Sequence, residues 1–281
     1  MPPRTMFNKV WDAHEVADLG DGWSLLHIDR HLLHDLSGGR ALMDLLDRGL
    51  PVRNPGLAFA TPDHAVSSAP DRARHGFPAG ERLRDSLRAQ AAATGIRFFD
   101  LGQDGHGIVH VMGPELGIVL PGTTLVCGDS HTCTNGGLGA LAFGVGSSEL
   151  VHALATQTPR QRRPRQMRVR FDGVPGPGVS PKDLVLHLIG RLGAAAGTGH
   201  AVEYAGDAVR RLGIEGWMTI CNLSTARGAL HASVRRAHCR VAAAPFPAVL
   251  NCRLVVKSGN SVHAREGSAS FRPGCMDEPA R

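Results

Sequence analysis

The feature that most constrains this chain is a recurring unit: a short apolar run, a polar cluster at its end, then a helix-forming stretch. Residues 23–28 are apolar and end in Asp29-Arg30-His31. Residues 57–61 form a second short run, which Pro62 stops, and residues 96–101 and 123–127 form two more. Between them, residues 40–48 read as a helix. Residues 81–93 carry Leu83, Leu87 and Ala91 at i, i+4 and i+8, the spacing of an amphipathic helix, with Gly95 as its stop. Ser180-Pro181-Lys182-Asp183 offers an N-cap, a proline at the first helical position and an acid at the third. Leu184, Val185, Leu188, Ile189 and Leu192 then make the expected buried face. Residues 136–146 are glycine-rich and apolar, so a helix there would have to pack very closely against a neighbour or a ligand. Residues 167–171 alternate and read as an edge strand. Strands alternating with helices over some 220 residues predict an α/β fold with a parallel or mixed sheet.

Three polar clusters stand at the ends of apolar runs: Thr61-Pro62-Asp63-His64, His106-Gly107-Ile108-Val109-His110 and Cys127-Gly128-Asp129-Ser130-His131-Thr132. Ligands of α/β sheets bind at the carboxyl ends of strands. An Asp that accepts from one imidazole nitrogen sets the tautomer and basicity of the other, which suits proton transfer to and from hydroxyl groups. Metal binding is the rival reading of such a set, but none of the spacings is a standard zinc pattern.

Charge divides the chain. Residues 224–281 hold nine Lys and Arg against three acidic residues, which leaves 22 of each in residues 1–223, so the whole net charge of +6 lies in the last fifth. That segment lacks apolar periodicity, and only residues 248–256 read as a strand, so a poorly structured basic tail that makes few contacts with the body is expected. Arg160, Arg162, Arg163, Arg165 and Arg168 form a second basic run, read as a solvated loop before a strand and not as a nucleic-acid surface. No run of eighteen apolar residues exists, which excludes a spanning helix. The first nine residues show no apolar leader, and six cysteines contain no Cys-x-x-Cys pair. Reduced thiols in a cytoplasmic protein are the expectation.

The ordered motifs resemble the aconitase superfamily. They are Asp29-Arg30-His31-Leu32-Leu33-His34, Phe59-Ala60-Thr61-Pro62-Asp63-His64, Gly107-Ile108-Val109-His110-Val111-Met112-Gly113-Pro114-Glu115 and Val126-Cys127-Gly128-Asp129-Ser130-His131-Thr132. Further segments are Gly139-Ala140-Leu141-Ala142-Phe143-Gly144-Val145-Gly146 and Met218-Thr219-Ile220-Cys221-Asn222. The wording is most similar to the 3-isopropylmalate dehydratase large subunits and runs from about residue 7 to residue 223.

The resemblance implies an aconitase-like three-layer α/β domain. The implied reaction is isomerisation of 2- and 3-isopropylmalate by dehydration and rehydration in leucine biosynthesis, on a 4Fe-4S cluster, with a small subunit as partner. Homoaconitase and methyl-maleate hydratase are the alternative branches, and a remnant without cluster or activity is the alternative of another class. By the same resemblance Asp63, His64, His110, Asp129 and His131 are catalytic, and His34, Ser130 and Asn222 contact substrate or lie near the cluster. The family's three cluster cysteines, one in a Gly-Ser-Cys-Thr-Asn-type loop and two in a Cys-x-x-Cys pair, have no match here. The Glu it places four residues after the Asn, as partner of the His matching His131, is Ala226. An incomplete module over residues 1–223 is therefore expected, with an unrelated tail over 224–281. A shift of reading frame near codon 223 would produce the basic excess, the missing cysteines and the lost Glu together.

Overall fold

The computed structural model describes residues 4–69, 77–229, 231–234, 253–258 and 261–264. Its elements in chain order are α1 (Met6–His14), β1 (Glu15–Gly20), β2 (Trp23–Leu26), β3 (Arg30–Leu33), α2 (Gly38–Asp47), β4 (Ala58–Ala60), α3 (Pro78–Thr94), β5 (Arg97–Phe98), α4 (Val109–Glu115), β6 (Thr124–Cys127) and β7 (Leu141–Gly144). There follow α5 (Ser147–Thr156), β8 (Arg160–Arg162), β9 (Arg165–Asp172), α6 (Pro181–Leu192), β10 (His200–Ala205), α7 (Asp207–Arg210), α8 (Ile214–Asn222), β11 (His231–Val234), β12 (Arg253–Ser258) and β13 (Ser261–Ala264).

One sheet runs β5-β4-β3-β6-β7, with all its neighbours parallel. Successive side chains of a strand face opposite ways, and this sheet uses both faces. Leu33, Ala58, Ala60, Val126, Leu141 and Phe143 pack with α1, α2, α3 and α5. Leu32, Leu125, Cys127 and Ala142 pack on the other side with Val109 and Met112 of α4. The result is helix, sheet, helix: the three layers of a mixed α/β fold. Full burial of each Leu here contributes about 1.5–3 kcal/mol. Strand order reverses between β3 and β6, so the connections leaving their carboxyl ends run in opposite directions along the sheet, the place where the ligand crevice of an α/β sheet lies. The same ends carry the polar clusters.

A second sheet runs β11-β10-β9-β12-β13, parallel from β11 to β9 and antiparallel beyond. Its core joins Val169, Phe171, Val202 and Tyr204 to Leu184, Val185 and Leu188 of α6 and to Ile220 and Cys221 of α8. A third sheet, β1-β2-β8, is antiparallel. Among the described residues no helix is long and apolar enough to cross a membrane.

Several expectations change. Strand β9, read as an edge, lies inside its sheet, because β12 pairs along its outer side from Arg253 opposite Asp172 to Ser258 opposite Met167. Residues 136–146 form no α-helix. A 3-10 segment, Ser130–Leu138, is followed by strand β7. The close packing is there nonetheless: a Cβ on Gly136 would sit 1.6 Å from the Ala232 carbonyl oxygen, and one on Gly137 would sit 2.8 Å from the Met218 nitrogen.

The arginine run is strand β8 and the start of β9, not a loop. Arg160 stacks over Trp23, Arg163 pairs with Asp12 at 2.6 Å and Arg168 pairs with Glu203 at 2.9 Å. Helix α6 starts at the Ser180 cap, but Leu192 is exposed at its end.

The body does not stop at residue 223. β11 pairs with β10 from His231 to Val234, and all four of its residues are buried. A four-residue strand is too short to show periodicity, and that is why the pattern missed it. Most of the remaining tail, with Cys239, Cys252 and Cys275, lies outside the described residues.

Candidate active site

The crevice between β3 and β6 is built from four chain segments. β3 delivers His34 and Asp35, and β4 delivers Asp63 and His64. The first turn of α4 delivers His110, and β6 delivers Asp129. Asp129 also caps the 3-10 segment, its Oδ1 accepting from the His131 N–H at 2.8 Å. Three imidazoles surround this one carboxylate. His110 Nε2 lies 3.3 Å from Oδ2, His64 Nε2 lies 3.5 Å from Oδ2, and His131 Nδ1 lies 3.4 Å from Oδ1. His64 Nδ1 donates to Asp63 Oδ1 at 2.5 Å, so its ring is held between two carboxylates. The turn at Pro62 that lets these sequence neighbours meet is itself held, because the Pro62 carbonyl bonds His106 Nε2 at 2.8 Å. Asp63 Oδ2 accepts from the Val109 N–H at 2.8 Å and so fixes the start of α4.

The electrostatics follow from these contacts. Hydrogen bonds to Asp129 and then to Asp63 push His64 up to about 10, so it is an imidazolium at neutral pH. Its ring stacks on His34 at 4.2 Å. Burial, and then the charge of His64, pushes His34 down, so the neighbour stays neutral. Burial alone would raise Asp129. Hydrogen bonds from His110, His64 and the His131 amide outweigh it and hold the carboxyl well below the usual range. Titratable groups driven apart in this way divide the proton-donor and proton-acceptor roles of a site.

The structure brings His34, Asp63, His64, His110, Asp129 and His131 together, with Ser130 Oγ at 3.4 Å from His131 Nδ1. Asn222 donates to Thr134 Oγ1 at 2.9 Å, and Thr134 Oγ1 in turn donates to the His131 carbonyl at 2.6 Å. Sequence reasoning missed two contributors. Asn135 donates to His110 Nδ1 at 3.2 Å, which turns the His110 Nε2–H toward Asp129. Asp35, almost wholly buried, accepts from the amides of Asp63, His64 and Ala65. Its position directly after His34 was the available signal. The ligand-type atoms of His34, Asp35, Asp63 and His64 lie within 4.8 Å of one another. Asp35 gives both oxygens to amides, and His64 Nδ1 is paired with Asp63.

Residues 8–237 match the family model described as the aconitase family (aconitate hydratase). This chain belongs to the aconitase family. It is 62% identical over 226 residues to a protein named 3-isopropylmalate dehydratase large subunit 1 of Bradyrhizobium diazoefficiens, covering 80% of this chain and 47% of that protein. It is 47% identical over 232 residues to the 3-isopropylmalate dehydratase large subunit of Anaeromyxobacter dehalogenans, covering 81% of this chain and 48% of the relative. The chain thus spans about half the length of the curated relatives it matches. Among solved structures it is similar to aconitase X of Thermococcus kodakaraensis in its holo-form, at a TM-score of 0.43 and 11% identity, over 82% of this chain and 57% of that one. The family match extends past residue 223, in step with the buried strand β11.

Membership of the aconitase family implies a 4Fe-4S cluster, whose ligands are thiolates. The described thiols do not fit one. Cys127, Cys133 and Cys221 are free and buried in apolar cores. Burial pushes all three thiols up, Cys127 and Cys221 far up, so each stays protonated. Cys133 Sγ donates to the Cys221 carbonyl at 3.1 Å and lies 3.1 Å from Thr225 Oγ1.

Proposed function

We propose that this chain supplies the acid-binding and proton-handling part of a 3-isopropylmalate dehydratase-type hydro-lyase, the enzyme that isomerises 2- and 3-isopropylmalate in leucine biosynthesis. The observation that carries this reading is the His64 ring, held between Asp63 and Asp129 at the strand reversal. Its long side, the 3.5 Å contact to Asp129, is where a substrate oxygen can displace the carboxylate. A proton passed from His64 Nε2 to the leaving hydroxyl makes that group depart as water, and the reverse transfer accompanies rehydration. His110 and Asp129 orient the bound acid. The base for the carbon-bound proton belongs, on this reading, to a small-subunit partner in the cytoplasm.

Acid–base catalysis of this kind contributes about 10²–10⁴ in rate. The described thiols do not fit a cluster. The expected behaviour is therefore binding of the hydroxy acid without turnover. Calorimetric titration with 2-isopropylmalate, 3-isopropylmalate, homocitrate and a methyl-substituted malate tests this. Preference for an isopropylmalate, weakened at least about tenfold (~1.4 kcal/mol) in His64→Gln, is the expected result. Preference for another acid reassigns the branch, and failure to bind any acid makes the chain a remnant of the family.

A further inference from the structure

Asp35 is 1% exposed, and among the described residues no Lys or Arg forms an ion pair with it, though a His64 ring nitrogen lies within 4.8 Å of its carboxylate. Its carboxylate lies in a row of three consecutive amides: Oδ1 accepts from Asp63 N–H at 3.1 Å and from His64 N–H at 3.0 Å, and Oδ2 accepts from Ala65 N–H at 2.6 Å. A carboxylate is removed from water only where hydrogen bonds replace its hydration, and three amides do that here. The arrangement is set by the sheet. β3 and β4 are parallel neighbours, with Leu33 opposite Ala60, and the Leu33 carbonyl accepts from the Thr61 N–H at 3.0 Å. The residues that leave β3 therefore lie alongside the loop that leaves β4.

Two adjacent residues grip His64 in different ways. His34 stacks on its ring at 4.2 Å, and Asp35 holds its backbone. The groups facing the His64 ring are Asp63, Asp129 and His34, with an Asp35 oxygen within 4.8 Å and with His110 and His131 sharing Asp129. We infer that Asp35 is a positioning residue: by fixing the amides of 63–65 it places His64 between Asp63 and Asp129, and through the Asp63 contact with Val109 it also sets His110. This deepens the proposed function and rests on it for its purpose, though not for its geometry.

The test reads proton affinity in the full chain by NMR titration of labelled histidine. In the unaltered chain His64 is expected to hold its proton to about pH 10. In Asp35→Asn the side chain presents an NH2 group to one of the amides, the loop loosens, and the His64 midpoint is expected to fall by about one unit or more. Asp35→Glu, which keeps both acceptors, is expected to recover part of that shift. The His31 and His231 resonances report whether the cores stay folded. A folded Asp35→Asn protein with an unchanged His64 midpoint overturns the inference, and so does a fallen midpoint with unchanged hydrogen exchange at the amides of 63–65, since that fall comes from the lost charge alone. If that variant does not fold, hydrogen exchange in the unaltered chain decides: slow exchange at Asp63, His64 and Ala65 together supports it, and fast exchange at these three overturns it. Neither measurement needs substrate, so a chain that binds no hydroxy acid leaves this result standing.

Discussion

Single residues set the response of this protein to pH, and in two directions. His64 has a folded-state affinity raised above that of a free imidazole, so its stabilisation is complete below about pH 6.5 and is lost as pH rises through about 10. His31 and His231 behave oppositely. Burial pushes each down to about 4, so both are neutral in the fold and both take up protons on unfolding in acid. Their destabilisation begins below about pH 6.5 and is complete below about 4, at roughly 3 kcal/mol each. Urea unfolding is expected to show a steep loss of stability between pH 6.5 and 4. His231→Leu should flatten part of that slope if buried imidazole is its source, and an unchanged slope refutes the assignment. The motifs named every member of the imidazole cluster, because strand ends in an α/β sheet are chemically distinctive. They did not reveal Asp35 or Asn135, whose partners are backbone amides and a histidine many residues away. Such partners leave no spacing signal.

At the scale of elements, two glycines make opposed predictions. Gly136 belongs to the 3-10 segment that packs between α8 and β11, with no room for a Cβ beside the Ala232 carbonyl. Gly136→Ala is expected to cost about 1–3 kcal/mol or more, since overpacked backbone contacts relax poorly. Gly190 lies inside α6 with nothing within 4 Å of a Cβ. Gly190→Ala should stabilise by about 0.5–1 kcal/mol, from helix propensity alone. Thermal unfolding of both variants checks the pair, and a stabilised Gly136→Ala protein would contradict the packing described here. Helices α3 and α6 were legible because their caps and periodicity are local. The glycine-rich stretch was not, because its shape is imposed by α8 and β11, which follow about 80–95 residues later in the chain.

For the whole molecule, the outcome turns on the described thiols, which do not fit a cluster. Reconstitution with a small subunit, iron and sulfide is expected to give neither stable iron binding nor the ultraviolet absorbance of an unsaturated acid. Turnover dependent on His64 and His110 would show that thiols outside the described residues hold iron. The frame-shift reading predicts that another frame of the coding DNA encodes a Cys-x-x-Cys pair downstream. With β11 in the sheet and the family match reaching residue 237, the change of frame is expected nearer codon 237 than codon 223. Sequencing that region settles the point: no such pair in any frame eliminates the idea.

By itself, the sequence determined the alternation of strand and helix, the strand-end clusters and the family, because each depends on residues close together in the chain or on their order along it. Tertiary structure alone decided that His64 lies between two carboxylates and that one Asp gathers three imidazoles. It also decided that β9 is covered and that the body continues through Val234. Those outcomes depend on which strand ends become neighbours when the sheet reverses, and pairing between segments tens of residues apart is not written in any local pattern.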